Sequence, residues 1–188
     1  MKLVALHGSP NVDGLTAQLA RAALEGAEEA GADTELTLLA RSEIASCGQC
    51  TNGWYKCRDE GWCVIEDDFS RVRRAVVEAD AWVLVTPVYF GDFSEVTKAF
   101  TDRLRRCNVG ARGKGLRGKP VMGVAAAGGS GRGTTSCLLT MDRLFDHIEA
   151  EVADLISVTR RSAPYQREAV FCAAQSMVDE AAVRARVR

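Results

Sequence analysis

Five short apolar runs punctuate the chain, with stretches of helical spacing between and after them, and this alternation constrains the fold more than anything else in it. The runs are Leu3-Val4-Ala5-Leu6, Leu36-Thr37-Leu38-Leu39, Ala81-Trp82-Val83-Leu84-Val85-Thr86, Val121-Met122-Gly123-Val124-Ala125-Ala126 and a weaker one from Ala153 to Val158. A strand apolar on both faces must be covered on both, so such runs belong to a parallel sheet enclosed by its own crossover helices. Leu15, Leu19, Ala22 and Ala23 open one helical pattern. Phe69, Val72, Val76 and Ala79 form another, behind Asp67 and Asp68 as candidate N-caps. Further helices are expected around Ser94 to Arg106, Thr135 to His147 and Pro164 to Arg188. The pattern predicts a doubly wound α/β fold. No repeat, linker or low-complexity stretch divides residues 1–188, so a single domain is expected, carrying a Cys- and Trp-containing loop at about 44–66.

Composition narrows the partners. The net charge is −1 and Lys and Arg are dispersed, which gives no electrostatic footprint for nucleic acid or an anionic membrane. A basic Gly-rich loop, Arg112 to Lys119, reads as a solvated surface turn, or as an aid to attracting an anionic dinucleotide. No secretory leader is visible and no apolar run reaches the roughly 18–20 residues that span a bilayer. Seven cysteines, an odd number, suit a reducing compartment. The expectation is a cytoplasmic protein whose cysteines are thiols or ligands.

In a doubly wound sheet, ligands sit beyond the carboxyl ends of the strands. Three loops meet that description. His7-Gly8-Ser9-Pro10-Asn11-Val12-Asp13-Gly14-Leu15-Thr16 joins a strand to a helix start and is rich in small and hydroxyl residues, as a phosphate grip requires. It lacks the lysine of a P-loop and the spacing of a Gly-x-Gly-x-x-Gly fingerprint. A phosphate monoester held by backbone amides, the Ser9 and Thr16 hydroxyls and the Asn11 amide fits it. So does an ordinary turn capped by Asn11 or Asp13. Thr86 to Phe93 places three aromatics at the end of a central strand, either a flat wall for a planar ring or a plug for the sheet. Ala127-Gly128-Gly129-Ser130-Gly131-Arg132-Gly133 is nearly bare of side chains, so its amides can lie against a ligand edge. Grip, wall and ledge together describe a flavin mononucleotide site.

Several motifs resemble those of the flavodoxin-like NAD(P)H-dependent FMN reductases, including their iron–sulfur flavoprotein branch. They are Gly8-Ser9-Pro10-Asn11 with Gly14-Leu15-Thr16, Pro87-Val88-Tyr89-Phe90-Gly91, Lys98-Ala99-Phe100-x-Asp102-Arg103, Gly118-Lys119-Pro120, Cys47-x-x-Cys50 and Cys63-Val64-Ile65-x-Asp67-Asp68. The resemblance covers most of residues 2–149. It implies a five-stranded parallel sheet of order 2-1-3-4-5 with helices on both faces, bound FMN, NAD(P)H as co-substrate and a homodimer or homotetramer. Carried over, Ser9, Asn11, Gly14, Leu15 and Thr16 would hold the phosphate. Pro87, Val88, Tyr89 and Phe90 would line the ring, and Ala127, Gly128 and Gly129 would close its edge. Arg132 would either stabilise the reduced ring or be a solvated turn residue. The implied function is an FMN-dependent oxidoreductase that passes a hydride through flavin N5 to a quinone, free flavin or other small acceptor. Such chemistry needs orientation and electrostatics rather than an acid–base pair, so no catalytic acid or base is named.

Cys47, Cys50, Cys57 and Cys63 make a C-x2-C-x6-C-x5-C run able to ligate an iron–sulfur cluster or a tetrahedral zinc. The iron–sulfur flavoproteins use a tighter run, and here Thr51 to Lys56 intervene. The alternative function is an electron-transfer module with a cluster on these four residues; others are a redox-active dithiol and simple apolar packing. Trp54, Tyr55 and Trp62 in the same loop suit a flavin cover, a subunit contact or a small satellite core. Cys107, Cys137 and Cys172 are expected to be buried in helices, and His7 and His147 to be structural.

Overall fold

The computed structural model describes residues 1–110 and 115–187. Five parallel strands form one sheet: β1 (Lys2–His7), β2 (Asp33–Leu38), β3 (Ala81–Pro87), β4 (Pro120–Ala127) and β5 (Glu151–Thr159), ordered β2-β1-β3-β4-β5. Ala5 stands opposite Leu36 on one side and Val83 on the other, and Val85 opposite Val124. The helices are α1 (Leu15–Glu29), a short α2 (Lys56–Asp59), α3 (Phe69–Glu78), α4 (Glu95–Asn108), α5 (Thr134–His147) and α6 (Ala163–Val187).

The two sheet faces carry separate cores because strand side chains alternate. Leu3, Ala5, Val83 and Val124 face the alanine-rich side of α1 and the Val170–Val178 part of α6. Val4, Leu6, Trp82 and Leu84 face α3, α4 and α5. There Trp82 meets Phe145 edge-on at 5.5 Å, and Phe69 meets Phe100 at 5.6 Å. Each such ring, fully buried, contributes about 1.5–3 kcal/mol. Lys119 is pinned from β4's entrance to the Val77 (2.8 Å) and Ala79 carbonyls, capping the last turn of α3.

Several sequence expectations need correction. β2 begins at Asp33 rather than Leu36 and stops at Leu38, and β5 extends to Glu151 and Thr159. Both are edge strands, so polar residues can join the ladder without being buried. Asp68 occupies the N-cap position of α3 but makes no capping bond; Asp67 takes the Phe69 amide instead, at 3.0 Å. Cys172 is exposed on α6, whereas Cys107 and Cys137 are buried as expected. Of the basic loop 112–119, residues 112–114 lie outside the described residues. Arg117 pairs with Glu149 at 2.8 Å and Lys119 is the helix cap just described.

Candidate functional site

The first loop leaves β1 with its Gly8 amide donating to the Val85 carbonyl at 2.8 Å. Ser9 is buried, and its Oγ accepts the Asn11 amide at 3.1 Å; Asn11 Oδ1 in turn accepts the Asp13 amide at 3.1 Å. These bonds fold the loop back on itself and engage the Asn11 oxygen, while the Asp13 carboxylate faces Arg21 at 3.5 Å. Gly14 is the N-cap of α1, with no side-chain capping bond and no acidic residue in the first turn. The amides of the first turn of α1, around Leu15 and Thr16, therefore have no side-chain cap, at the positive end of the helix dipole. An ordinary capped turn is not what forms here. His7, just below, is buried with neither ring nitrogen partnered. Burial first, and Arg21 second, lower its pKa and keep it neutral.

The second and third loops touch. Val88 donates to the Ala126 carbonyl at 3.0 Å, so the aromatic loop begins hydrogen-bonded to the end of β4. Tyr89 and Asp92 exchange two backbone bonds, 2.9 and 3.0 Å, around Phe90 (φ +50°) and Gly91 (φ +84°). This tight turn holds the Phe90 ring wholly in solvent and the Tyr89 ring partly so. On the other side, Gly133 (φ +85°) caps α5, and a Cβ there would stand 2.8 Å from the Gly91 Cα. Only glycine permits that approach. Ser136 on the first turn of α5 donates to the Gly91 carbonyl at 2.8 Å and closes the contact. Between the loops lies a cleft of about 460 Å³ lined by Val88, Phe90, Ala127 to Gly133 and Ser136. That size is ordinary for a small-molecule site. Arg132 stands exposed at its rim. Ala127 is buried, while Gly128 and Gly129 present their backbones to solvent.

What fastens these loops was not visible in the sequence. Thr86, Ser94 and Thr97 form a buried hydroxyl cluster behind them. Ser94 Oγ donates to the Gly8 carbonyl at 2.6 Å and lies 2.9 Å from Thr97 Oγ1; Thr86 Oγ1 donates to Thr97 Oγ1 at 3.2 Å. The first loop, the end of β3 and the start of α4 are thus one hydrogen-bonded unit. A hydroxyl at each end of Ser94-x-x-Thr97 is the one sequence signal that could have exposed it, since i and i+3 share a helix face.

The four candidate ligand cysteines occupy a different place. Cys47, Cys50, Cys57 and Cys63 all line one small cavity against the far half of α4, beside Arg103, Arg106 and Cys107. Its free volume, about 20 Å³, admits about one water. Among the described residues no three Cys, His or carboxylate side chains are grouped to hold a metal ion. The expected four-thiolate ligand set is therefore brought to one neighbourhood but not assembled. Burial pushes the Cys107 thiol up to about 12, which leaves it protonated. The loop is locked by Arg103, itself fully buried. Its guanidinium donates to both Asp67 oxygens (2.5 and 2.9 Å), to the Ala45 carbonyl (3.0 Å) and to the Ile65 carbonyl (3.2 Å), and stacks on Phe69 at 4.2 Å. Arg106 of α4 lies over Trp54 at 4.7 Å, and Lys56 over Trp62 at 4.6 Å, and none of the loop's aromatics lines the cleft.

Sheet order, crossover helices and a cleft at the strand ends define a flavodoxin-like α/β protein. Solved structures share that fold. A flavone reductase superposes with a TM-score of 0.73 over 96% of this chain and 63% of its own, at 17% identity. An azoreductase from Bacillus anthracis gives 0.66 over 96% and 98%, at 16% identity. A flavodoxin from the domain Archaea gives 0.64 over 96% and 99%, at 12% identity. At such identities the likeness speaks for the fold alone. The chain belongs to the NADPH-dependent FMN reductase family, which it matches over residues 1–163. Among curated relatives, it is similar to an iron–sulfur flavoprotein of Methanocaldococcus jannaschii, 38% identical over 133 residues, and to one of Methanosarcina thermophila, 34% over 117 residues. These matches cover 71% and 61% of this chain but only 65% and 59% of those relatives, less than two thirds of their length. Among the described residues no helix is long and apolar enough to cross a membrane.

Proposed function

We propose that the chain is an FMN-dependent oxidoreductase that takes reducing equivalents from NAD(P)H and delivers them to a small acceptor such as a quinone or free flavin. The carrying observation is the uncapped start of α1, whose first amides have no side-chain partner and which has no first-turn carboxylate, at the same carboxyl end of the sheet as a cleft between an aromatic turn and a glycine ledge. The donor set fits the group: amides and hydroxyls for a phosphate monoester, an apolar wall and bare backbone for a planar ring. In this reading Ser9, Asn11 and the Gly14, Leu15 and Thr16 segment hold the phosphate. Pro87, Val88, Tyr89 and Phe90 orient the ring and shield one face from water, and Ala127, Gly128 and Gly129 border its edge. Arg132 supplies positive charge near the edge where negative charge accumulates on reduction. Bound FMN would supply a two-electron carrier that accepts hydride at N5 and returns electrons to the acceptor.

The test is a titration of the purified protein with FMN and with riboflavin, followed by visible absorption and flavin fluorescence. FMN should bind at one per chain and riboflavin, lacking the phosphate, far more weakly. Equal affinity for the two would remove the phosphate grip from the proposal, and failure to bind either would end it. The alternative, an electron-transfer module with a cluster on Cys47, Cys50, Cys57 and Cys63, draws on the convergence of all four on one cavity. It requires the loop to open, and iron and acid-labile sulfide in anaerobically prepared protein would favour it.

A further inference from the structure

His7 ends β1 directly before the first loop, fully buried, with both ring nitrogens unpartnered. A neutral imidazole carries one N–H donor and one lone pair, so two polar sites leave water without a replacement partner. An apolar residue would serve the core better, which argues against the purely structural histidine expected from the sequence. The direction of the ring follows from the strand. Leu3 and Ala5 face α1, and alternation puts His7 on the same side. A Cβ on Gly8, next along, would point the opposite way, at Thr97, Thr86 and Ser94. The crossover helix runs back antiparallel to its strand, so the first turn of α1 lies over the carboxyl end of β1, where His7 stands. The ring therefore sits under the uncapped amides around Leu15 and Thr16.

The other polar side chains of the grip are tied into the loop. Ser9 Oγ and Asn11 Oδ1 each accept a loop amide; they keep a hydroxyl hydrogen and an NH2 to offer a ligand, and neither can gain charge. Arg21 donates to the Val12 carbonyl at 2.9 Å and faces Asp13, the loop's one carboxylate, at 3.5 Å. No lysine lies in the loop. His7 is left as the side chain there that can still gain both a bond and a positive charge. We propose that His7 is a phosphate-binding residue, its ring N–H donating from beneath to the phosphate of the bound flavin nucleotide. This rests on the reading of the first loop as the FMN phosphate grip. A phosphate monoester carries roughly −1.5 to −2 charge at neutral pH, and that charge beside the ring favours its protonated form. Without it the ring is held neutral by burial first and Arg21 second; Leu38 of β2 and Val85 of β3, in register with it, are apolar. Filling the grip with phosphate should therefore draw a proton onto His7, and a flavin lacking phosphate should not.

The experiment compares FMN with riboflavin on the full chain, as wild type, His7→Leu and His7→Gln. Imidazole NMR signals followed across pH should show His7 taking its proton at higher pH once FMN is bound, with no such shift from riboflavin. The chain's other histidine, His147 at the far end of α5, serves as an internal reference. His7→Leu removes two orphaned polar atoms, so its melting temperature should hold or rise. Its preference for FMN over riboflavin should nevertheless fall about ten- to a hundredfold. His7→Gln keeps a donor and should retain part of that preference. A histidine that only supports the fold, or only holds an ordered water, predicts otherwise: both ligands weakened alike and a His7 titration that FMN does not move. That result overturns the proposal, as does a titration moved equally by riboflavin. If His7→Leu fails to fold, the wild-type titration and His7→Gln decide. A wild type that prefers FMN, with His7→Leu keeping the full preference, removes His7 and leaves the flavin reading standing. A wild type that does not distinguish the two ligands removes the phosphate grip itself, and His7 with it.

Discussion

The cleft at the strand ends, closed by the start of α5, and the cysteine loop, closed by the far half of α4, are built on opposite principles. The cleft offers backbone and exposed side chains to solvent: Phe90, Gly128, Gly129 and Arg132 make almost no side-chain bonds of their own. Its order is supplied from behind, by the Val88 amide on the Ala126 carbonyl and Ser136 Oγ on the Gly91 carbonyl, while Thr86, Ser94 and Thr97 fasten the first loop. The cysteine loop is the reverse, closed by a buried guanidinium that makes four hydrogen bonds from within. One end of α4 anchors the first loop and the other holds the cysteine loop shut. The contrast teaches that a cleft of the kind proposed to receive a ligand keeps its exposed groups unspent and places its fastening one layer deeper.

The sharpest way to break the contrast is Arg103→Ala. It strands the Asp67 carboxylate and the Ala45 and Ile65 carbonyls at once, and breaking a buried pair costs about 3–5 kcal/mol. Urea unfolding should register that loss, while the protein that remains folded keeps its FMN affinity within a few-fold. A loss under about 1 kcal/mol would mean the loop is held by something else. Gly8→Ala attacks the other end. Its Cβ would sit 2.0 Å from Thr97 Oγ1, so the hydroxyl cluster must move. Overpacking of this kind costs about 1–3 kcal/mol. Because the cluster carries the first loop, FMN binding should weaken by at least tenfold in parallel. Unchanged affinity would show that the cluster does not position the grip.

Legibility in the sequence followed burial. The central strands could be read directly because Val4 to Leu6, Trp82 to Val85 and Val121 to Ala126 are apolar on both faces. The edges could not: Asp33 is exposed and Thr34 and Glu35 only half-buried, joined to the sheet through one ladder, so no hydrophobic pattern announces them. The Lys56–Asp59 helix is a single turn, too short for a period to register. At the site, the three loops were recognisable from composition, whereas their fastening depends on pairings across the chain. Asp67 and Arg103 each stand in a motif of the family resemblance, but they are 36 residues apart and nothing local says that they meet. Ser94 and Gly8 are 86 apart.

Acid should separate the two regions more gently. The Asp67 carboxyl is held below the ordinary carboxylate range: burial works against its charge, but bonds from Arg103 and from the Ala45 and Phe69 amides outweigh that. A group whose pKa is lower folded than unfolded adds stability above the unfolded value, here 3.8, and that increment is lost as pH falls through the folded value. The wild type should therefore lose an increment of stability below about pH 4 that Asp67→Asn never had, so their denaturation midpoints converge on acidification. Midpoints that stay parallel down to the acid limit would mean the clamp's charge contributes nothing.

The smallest effect belongs to Phe90. A bulky residue at φ +50° with its ring wholly exposed gains nothing from burial and bears the cost of a left-handed backbone, roughly 1–2 kcal/mol. Glycine relieves that cost but surrenders about 0.5–1 kcal/mol of chain entropy. Phe90→Gly should thus leave stability unchanged or raise it by up to about 1.5 kcal/mol, while weakening FMN binding through loss of the aromatic wall. Such a trade is what a strained, exposed residue kept for a ligand predicts. If thermal melting instead shows Phe90→Gly to be destabilised, the ring is packing against something in solution. The aromatic turn would then share the closed character of the cysteine loop rather than the open character of the cleft.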